Sequence, residues 1–109
     1  MGISDKDIEA AVNQIIAQEG GIVLVKNGQV IENMPMSVGG IMSDQSGCQV
    51  GEKLSIIYKK IEEDLKVNPL IDPLMTLAFM SLPVIPELKM TDTGLFDVTK
   101  NACISLEVE

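Results

Sequence analysis

The chain has 109 residues, of which 46% are hydrophobic and 22% charged, and this composition is that of one globular domain rather than a disordered segment. It carries a net charge of −8 and no histidine. Nucleic acids and anionic membrane surfaces repel such an acidic chain, so neither is an expected partner. No apolar run reaches the roughly 20 residues that span a bilayer, and residues 1–7 lack the pattern of a signal peptide, so we expect a cytoplasmic protein.

The first predicted element is an amphipathic helix over about Asp5 to Gln18. Ser4 and Asp7 form a pattern similar to a capping box at its start, and Gly20-Gly21 predicts a left-handed stop after its end. The apolar residues between these signals recur at helical spacing and predict one buried stripe, which consists of Ile8, Ala11, Val12, Ile15 and Ile16.

A β-hairpin is predicted next. Two β-branched, apolar runs flank Asn27-Gly28, and both central positions of the tight turn that joins such strands need a positive φ, which Asn and Gly tolerate. Pro35 limits how far the second strand can continue inside a sheet. Residues 37–47 are rich in Gly, Ser and Asp and predict a loop, the kind of segment in which functional groups concentrate.

From Val50 a second amphipathic helix is predicted, with apolar residues at helical intervals at Leu54, Ile57, Ile61 and Leu65. Residues 74–82 are apolar almost throughout, and their periodicity leaves open a buried strand or a short buried helix. Pro83 and Pro86 predict an extended path. A turn over residues 91–94 and strands over residues 95–98 and 103–108 follow. The order predicts an α+β fold, one domain over residues 1–109, in which two amphipathic helices pack with a largely antiparallel sheet that contains the hairpin.

Catalytic chemistry is hard to assemble from these residues, because histidine is both the usual general base and the commonest metal ligand, and the chain has none. The sequence therefore predicts no catalytic, cofactor-binding or metal-binding residue. Ser43 and Asp44 are the side chains of interest in the loop. Asp44 and Asp92 stand in turns, where aspartate commonly bonds the backbone two residues on.

The remaining chemically able side chains have ordinary structural interpretations. Asp97 is expected on the solvated face of a strand, and Glu87 follows Pro86 without a partner that the sequence identifies. Cys48 and Cys103 are interpreted as small hydrophobic residues rather than reactive thiols. From the residues alone, the chain is a soluble α+β domain that is not an enzyme by itself.

Five segments nevertheless occur in an order that resembles the C-terminal domain of bacterial and archaeal adenine deaminases. They are GGIVLVKNG from Gly20, GIMSD from Gly40, DPLMTL from Asp72, LPVIPELK from Leu82 and TDTGLFDV from Thr91. The resemblance runs over nearly the whole chain to about Val98. It is loose over residues 45–70 and after Lys100.

The resemblance implies a role beside a catalytic domain. Enzymes of that family, members of the amidohydrolase superfamily that act in purine salvage, convert adenine and water to hypoxanthine and ammonia. Their transition metal is bound by a histidine-rich (β/α)₈ barrel that precedes this domain. The chain is thus expected to be an accessory domain that is inactive alone and holds no cofactor, with the barrel domain as its partner and a second copy of itself as a further candidate.

Other functions stay open at this point. A stand-alone module could hold a small cationic or hydrogen-bonding ligand at the loop of residues 39–47, and this alternative requires a concave, partly apolar pocket beside the loop. A third hypothesis makes the chain an enzyme with Asp or Glu as acid–base groups. The accessory role instead requires an exposed apolar patch and a tendency to self-associate, with contacts expected around Met34, Met36, Met75 and Met80.

Overall fold

The computed structural model describes residues 1–106, which form two compact units, Met1–Pro69 and a second one that begins at Leu70. The first unit contains, in chain order, α1 (Asp5–Ala17), β1 (Gly21–Lys26), β2 (Gln29–Pro35) and α2 (Gly47–Glu63). The second contains α3 (Pro73–Met80), β3 (Leu88–Thr91), β4 (Gly94–Asp97) and β5 (Ala102–Ile104). Strands β1 and β2 pair in one antiparallel sheet, and β3, β4 and β5 in another. The α+β class is confirmed, and one domain over residues 1–109 stays a prediction.

Helix α1 begins and ends with the groups that its sequence supplies. Ser4 Oγ accepts a hydrogen bond from the Asp7 N–H at 3.2 Å, as the capping pattern predicts. At the other end the left-handed residue is Glu19, with a φ of 61°, and not a glycine. Gly20 is needed for a different reason, because a Cβ atom there would lie 2.3 Å from the Cα of Gly40.

Only part of the predicted apolar stripe of α1 is buried. Ala11 packs with Val23 and Val25 of β1, and Ala10 and Ile15 of the helix are partly buried against this cluster. The rest of the stripe is exposed, namely Ile8, Val12 and Ile16. The prediction of one buried stripe is therefore wrong for these three residues.

Two polar contacts explain why these three apolar residues of α1 face away from the hairpin. The Asp7 carboxylate is buried and accepts a hydrogen bond from the Gly28 N–H at 2.6 Å. At the far end of the helix, Asn33 Nδ2 of β2 donates to Gln18 Oε1 at 3.1 Å. Both contacts hold the side of the helix that carries Asp7 and Gln18 against the hairpin. The side that carries Ile8 therefore faces away from the hairpin.

The predicted hairpin is present. Asn27 and Gly28 have φ values of 53° and 74°, as the two central residues of a type I′ turn require. Lys26 pairs with Gln29 next to the turn, and a β-bulge follows between Leu24 and Val25.

The backbone of Met1 lies along the edge of β1 that faces away from β2. The Met1 ammonium donates to the Val23 carbonyl oxygen at 2.5 Å, and the Val25 N–H donates to the Met1 carbonyl oxygen at 2.9 Å. Partial burial lowers the pKa of this ammonium group. Met1 thus extends the hydrogen bonding of the hairpin by one residue.

Helix α2 begins three residues earlier than the predicted start at Val50. A complete capping box starts it, in which the Ser46 side chain accepts from the Gln49 N–H and Gln49 Oε1 accepts from the Ser46 N–H. The helix packs against β2 and buries Ile57 and Ile61. The Ser-x-x-Gln pattern was the available signal for this start.

In the second unit, the ambiguous apolar segment is a helix. Asp72 Oδ1 accepts from the Met75 N–H at 3.0 Å, and Pro73 occupies the first turn, where its missing N–H costs nothing. Burial was predicted for either alternative and is wrong for most of α3, because its residues from Met75 to Met80 are exposed. The predicted extended path around Pro83 is also wrong, since the Ile85 N–H donates to the Leu82 carbonyl oxygen in a turn.

The three-stranded sheet agrees with the predicted turn and strands. Thr91 pairs with Gly94 across a two-residue turn, and β4 corresponds to the predicted strand over residues 95–98. Strand β5 corresponds to the start of the predicted strand over residues 103–108, whose last two residues lie outside the described part of the chain.

The burial of α2 leads to a testable prediction with a matched control. Ile57 has 0% of its surface exposed and its neighbour Ile56 has 45%. We expect Ile57→Ala to lower the free energy of unfolding by about 2–5 kcal/mol, because it leaves a cavity in the core. Ile56→Ala should change it by less than about 1 kcal/mol. Urea unfolding followed by circular dichroism measures both, and equal losses would contradict the packing of α2.

Candidate functional site

A cavity of about 330 Å³ opens beside the loop that joins β2 to α2 in the first unit. Its volume lies within the range of small-molecule sites, which is about 300–1,000 Å³. Polar and apolar side chains line it together: Met34, Pro35, Ser37, Ser43, Asp44, Gln45, Gln49, Val50 and Lys53. The cavity thus includes both loop residues that the sequence singled out.

A tight turn positions the loop. The backbones of Val38 and Met42 exchange two hydrogen bonds of 3.0 and 3.1 Å, and Gly39 and Gly40 between them have φ values of 63° and 76°. Residues with a side chain rarely adopt these angles, so the two glycines allow the chain to reverse here. The reversal leads into Ser43, Asp44 and the first turn of α2.

Ser43 and Asp44 have different hydrogen-bond partners. Ser43 Oγ accepts a hydrogen bond from the Gln45 N–H at 3.1 Å. A bond of this kind, to the backbone two residues further along, was predicted for Asp44 and is made by Ser43 instead. Asp44 Oδ1 accepts from Gln45 Nε2 at 3.0 Å. Hydrogen bonds from the Gln45 and Ser37 side chains hold the pKa of Asp44 below its ordinary value. Asp44 is therefore an ionised acceptor at neutral pH.

Lys53, at the other side of the cavity, belongs to an ion-pair network that sequence reasoning missed. Its Nζ lies 2.5 Å from Glu32 Oε1, and Lys60 Nζ lies 3.3 Å from Glu32 Oε2. Lys60 also donates to the Ile31 carbonyl oxygen at 2.6 Å. The hydrogen bond from Lys53 is the main cause that lowers the pKa of Glu32. The spacing of seven residues between the two lysines, about two helical turns, was the only sequence signal, and it did not identify Glu32.

The chemistry that this cavity can perform is hydrogen bonding. It offers a carboxylate, hydroxyl groups and side-chain amides, and the charge of Lys53 is already paired. Proton transfer and nucleophilic attack usually rely on histidine, which the chain lacks. Within residues 1–106, no three Cys, Asp or Glu side chains gather closely enough to hold one metal ion. These residues do not fit the transition metal of the family resemblance, so no catalytic step is assigned to them.

In the second unit, Asp97 departs from its prediction. It is buried rather than on a solvated face, with 6% of its surface exposed. Its Oδ1 accepts from the Thr99 N–H at 3.0 Å, from Thr99 Oγ1 at 2.6 Å and from the Lys100 N–H at 3.1 Å. The hydrogen bond from the Thr99 side chain is the main cause that lowers the pKa of Asp97 to about 2, and the bond from the Lys100 N–H adds to it. The carboxylate closes the turn between β4 and β5.

The other candidate residues are exposed. Asp92 lies in the turn between β3 and β4, and Glu87 precedes β3. Cys48 in the first turn of α2 and Cys103 in β5 are free and exposed. These four side chains are not brought into the cavity.

Comparison with known proteins identifies the family. The family model described as the adenine deaminase C-terminal domain matches residues 1–102. The chain is 56% identical over 107 residues to adenine deaminase 2 of Desulfotalea psychrophila, a match that covers 98% of this chain and 19% of that protein. It is 41% identical over 107 residues to adenine deaminase of Bacillus subtilis, covering 98% of this chain and 18% of that protein. No solved structure matches.

These matches show that the chain corresponds to a C-terminal domain of longer proteins, since it spans about a fifth of the length of the curated relatives. The chain belongs to the adenine deaminase C-terminal domain family. A cavity does lie where a stand-alone binding module would need one, but this alternative is not favoured, because the relatives are adenine deaminases over nearly the whole chain. In the described part of the chain, every helix is too short or too polar to cross a bilayer.

The pKa of Asp97 predicts how the stability of the second unit depends on pH. An unfolded aspartate titrates near pH 3.9, and the folded value of about 2 lies lower, so the stabilisation is present above pH 4 and is lost as pH falls through 2. We expect Asp97→Asn to destabilise β4 and β5 at pH 7, and the difference from wild type to shrink between pH 4 and 2. Amide hydrogen exchange at different pH values measures this. Asp92→Asn removes the same charge from an exposed turn and should have little effect; equal effects of the two substitutions would contradict the role of Asp97.

Proposed function

We propose that this chain acts as the accessory C-terminal domain of an adenine deaminase and packs on the catalytic part of that enzyme. The whole protein would convert adenine and water to hypoxanthine and ammonia, in purine salvage and in the cytoplasm. Its catalytic part would be a metal-binding barrel of the amidohydrolase superfamily. The family relation supports this proposal, and the apolar surface of α1 is the structural observation that carries it.

The exposed apolar line of α1 supports a packing role for the first unit. Ile8, Val12 and Ile16 follow one another at intervals of four residues, so they lie on one side of the helix. Their exposed fractions are 51%, 49% and 69%. A contiguous row of large apolar side chains on the surface commonly marks a protein–protein contact. Burial of this row against another domain would contribute favourable free energy, because each side chain still has about half its surface to remove from water.

The second unit has an apolar surface of its own on α3. Met75, Leu77, Phe79 and Met80 are between 48% and 64% exposed. Two of these residues, Met75 and Met80, are contacts that the sequence proposed. Met34 is buried within the first unit and is unsuited to such a contact. Self-association of the chain through these surfaces stays a proposal as well.

Catalytic inactivity of the chain alone is the first test of this function. Attack on the purine C6 needs an activated water and a proton carrier, and the chain lacks the imidazole ligands that usually support a metal-bound water. We expect no hypoxanthine above background from the purified chain with adenine and zinc, manganese or iron. The control is the same assay with the part of the Desulfotalea psychrophila protein outside the matching region, alone and mixed with the chain. Turnover by the 109 residues alone would contradict the proposal, and a rate that increases on mixing would support it.

Docking through α1 is tested by a pair of neighbouring substitutions. Val12→Asp places a charge on the apolar row and should weaken association with the catalytic part at least tenfold, because a charge buried at an interface must lose its hydration. Asn13→Asp adds the same charge at an exposed polar position and should change association little. Analytical ultracentrifugation of the mixture measures both, and circular dichroism confirms that both variants fold. Equal binding of the two variants would show that α1 is not the docking surface.

A further inference from the structure

The outer edge of β1 already holds one residue of a parallel strand. Met1 donates to the Val23 carbonyl oxygen, and the Val25 N–H donates to the Met1 carbonyl oxygen. In a parallel ladder, a residue that lies opposite Leu24 forms one hydrogen bond with the residue before Leu24 and one with the residue after it. Met1 and β1 therefore run in the same direction, whereas β2 on the other edge is antiparallel.

The connection between Met1 and β1 is of the type that parallel neighbours need. Parallel strands require a crossover of a dozen or more residues, usually a helix that packs on the sheet. Residues 2–20 contain α1, which packs through Ala11 on Val23 and Val25 of β1. Met1, α1 and β1 thus have the arrangement of a βαβ unit, with Met1 at the position of the first strand.

We propose that, in the longer adenine deaminases, the segment preceding this domain forms a parallel strand on the outer edge of β1. It would continue backward from Met1 and give a three-stranded sheet with β1 in the centre. The family relation supplies the occupant, since the relatives are about five times as long as the chain and this domain is their C-terminal part. The proposal does not depend on docking through α1.

The hydrogen bonds that Met1 makes fix the register of this strand. Every second residue of β1 directs its backbone N–H and carbonyl to this edge. Next to the groups that Met1 uses, the Gly21 carbonyl and the Val23 N–H are therefore the groups that the preceding residues of the strand would bond. The residue two positions before Met1 would lie opposite Ile22. Its carbonyl would accept from the Val23 N–H, and its own N–H would donate to the Gly21 carbonyl.

Covalent continuity favours this occupant over a second copy of the chain. A strand that continues from Met1 is held next to the edge by the chain itself and loses little freedom when it pairs. A second copy would have to displace Met1 from Val23 and Val25, and it would bring another net charge of −8. The edge is therefore assigned to the preceding segment.

Nuclear magnetic resonance of an extended chain tests the register. The chain would carry at its N-terminus the eight residues that precede the matching region in the Desulfotalea psychrophila relative. We expect a scalar coupling across the hydrogen bond between the Val23 amide nitrogen and the carbonyl carbon of the second residue before Met1. The Val23 amide should also exchange with solvent about tenfold more slowly than in the chain without the extension.

Two proline variants of the extension serve as a matched pair. Proline at the second residue before Met1 removes the N–H that would donate to Gly21 and directs its ring at the edge of β1. It should therefore prevent the strand from pairing, and the coupling to the Val23 amide should be lost with it. The N–H of the residue immediately before Met1 would face away from β1, so proline at that position should preserve the coupling. Unchanged amide shifts of the Asn27-Gly28 turn confirm that each variant folds. No coupling in the extended chain, a coupling in another register, or protection of Val23 that depends on protein concentration would overturn the proposal.

Discussion

The hydrogen bond from the Gly28 N–H to the Asp7 carboxylate ties the first turn of α1 to the tip of the hairpin. It is a short contact between residues 21 positions apart, and it satisfies a buried charge with a backbone donor. Since the far end of the helix is held through Gln18 and Asn33, α1 cannot rotate to bury its whole apolar stripe. The same interaction that anchors the helix therefore leaves Ile8, Val12 and Ile16 on the surface.

The cavity beside the loop depends on a second set of charges. Glu32 on β2 holds both Lys53 and Lys60 of α2, and it fixes the helix against the strand at two points separated by two turns. This pairing removes the charge of Lys53 from the cavity and leaves Asp44 as its ionised group. The loop glycines reverse the chain before Asp44, and the Ser46 cap starts α2 two residues after it. The residues that line the cavity come from this loop, from the end of β2 and from the first turns of α2.

The two units share an organisation in which buried carboxylates serve the fold and exposed apolar side chains remain for contacts. Asp7 in one unit and Asp97 in the other are buried and accept backbone hydrogen bonds. Both units leave large apolar residues on the surface of a helix. The exposed apolar residues are those on which the proposed packing role depends. The chain belongs to the adenine deaminase C-terminal domain family.

The sequence by itself determined the features that depend on neighbouring residues. The Asn27-Gly28 turn, the Ser4 cap, the turn before Gly94 and the two amphipathic helices follow from local dihedral preferences and from periodicity. The ordered motifs also sufficed to identify the family. Only the tertiary structure decided which apolar residues are buried, because a periodic stripe shows that a helix has an apolar side but not which part meets a partner. It likewise decided the role of Asp97, the Glu32 network and the parallel pairing of Met1, since their partners are set by packing or by backbone hydrogen bonds that carry no side-chain signature.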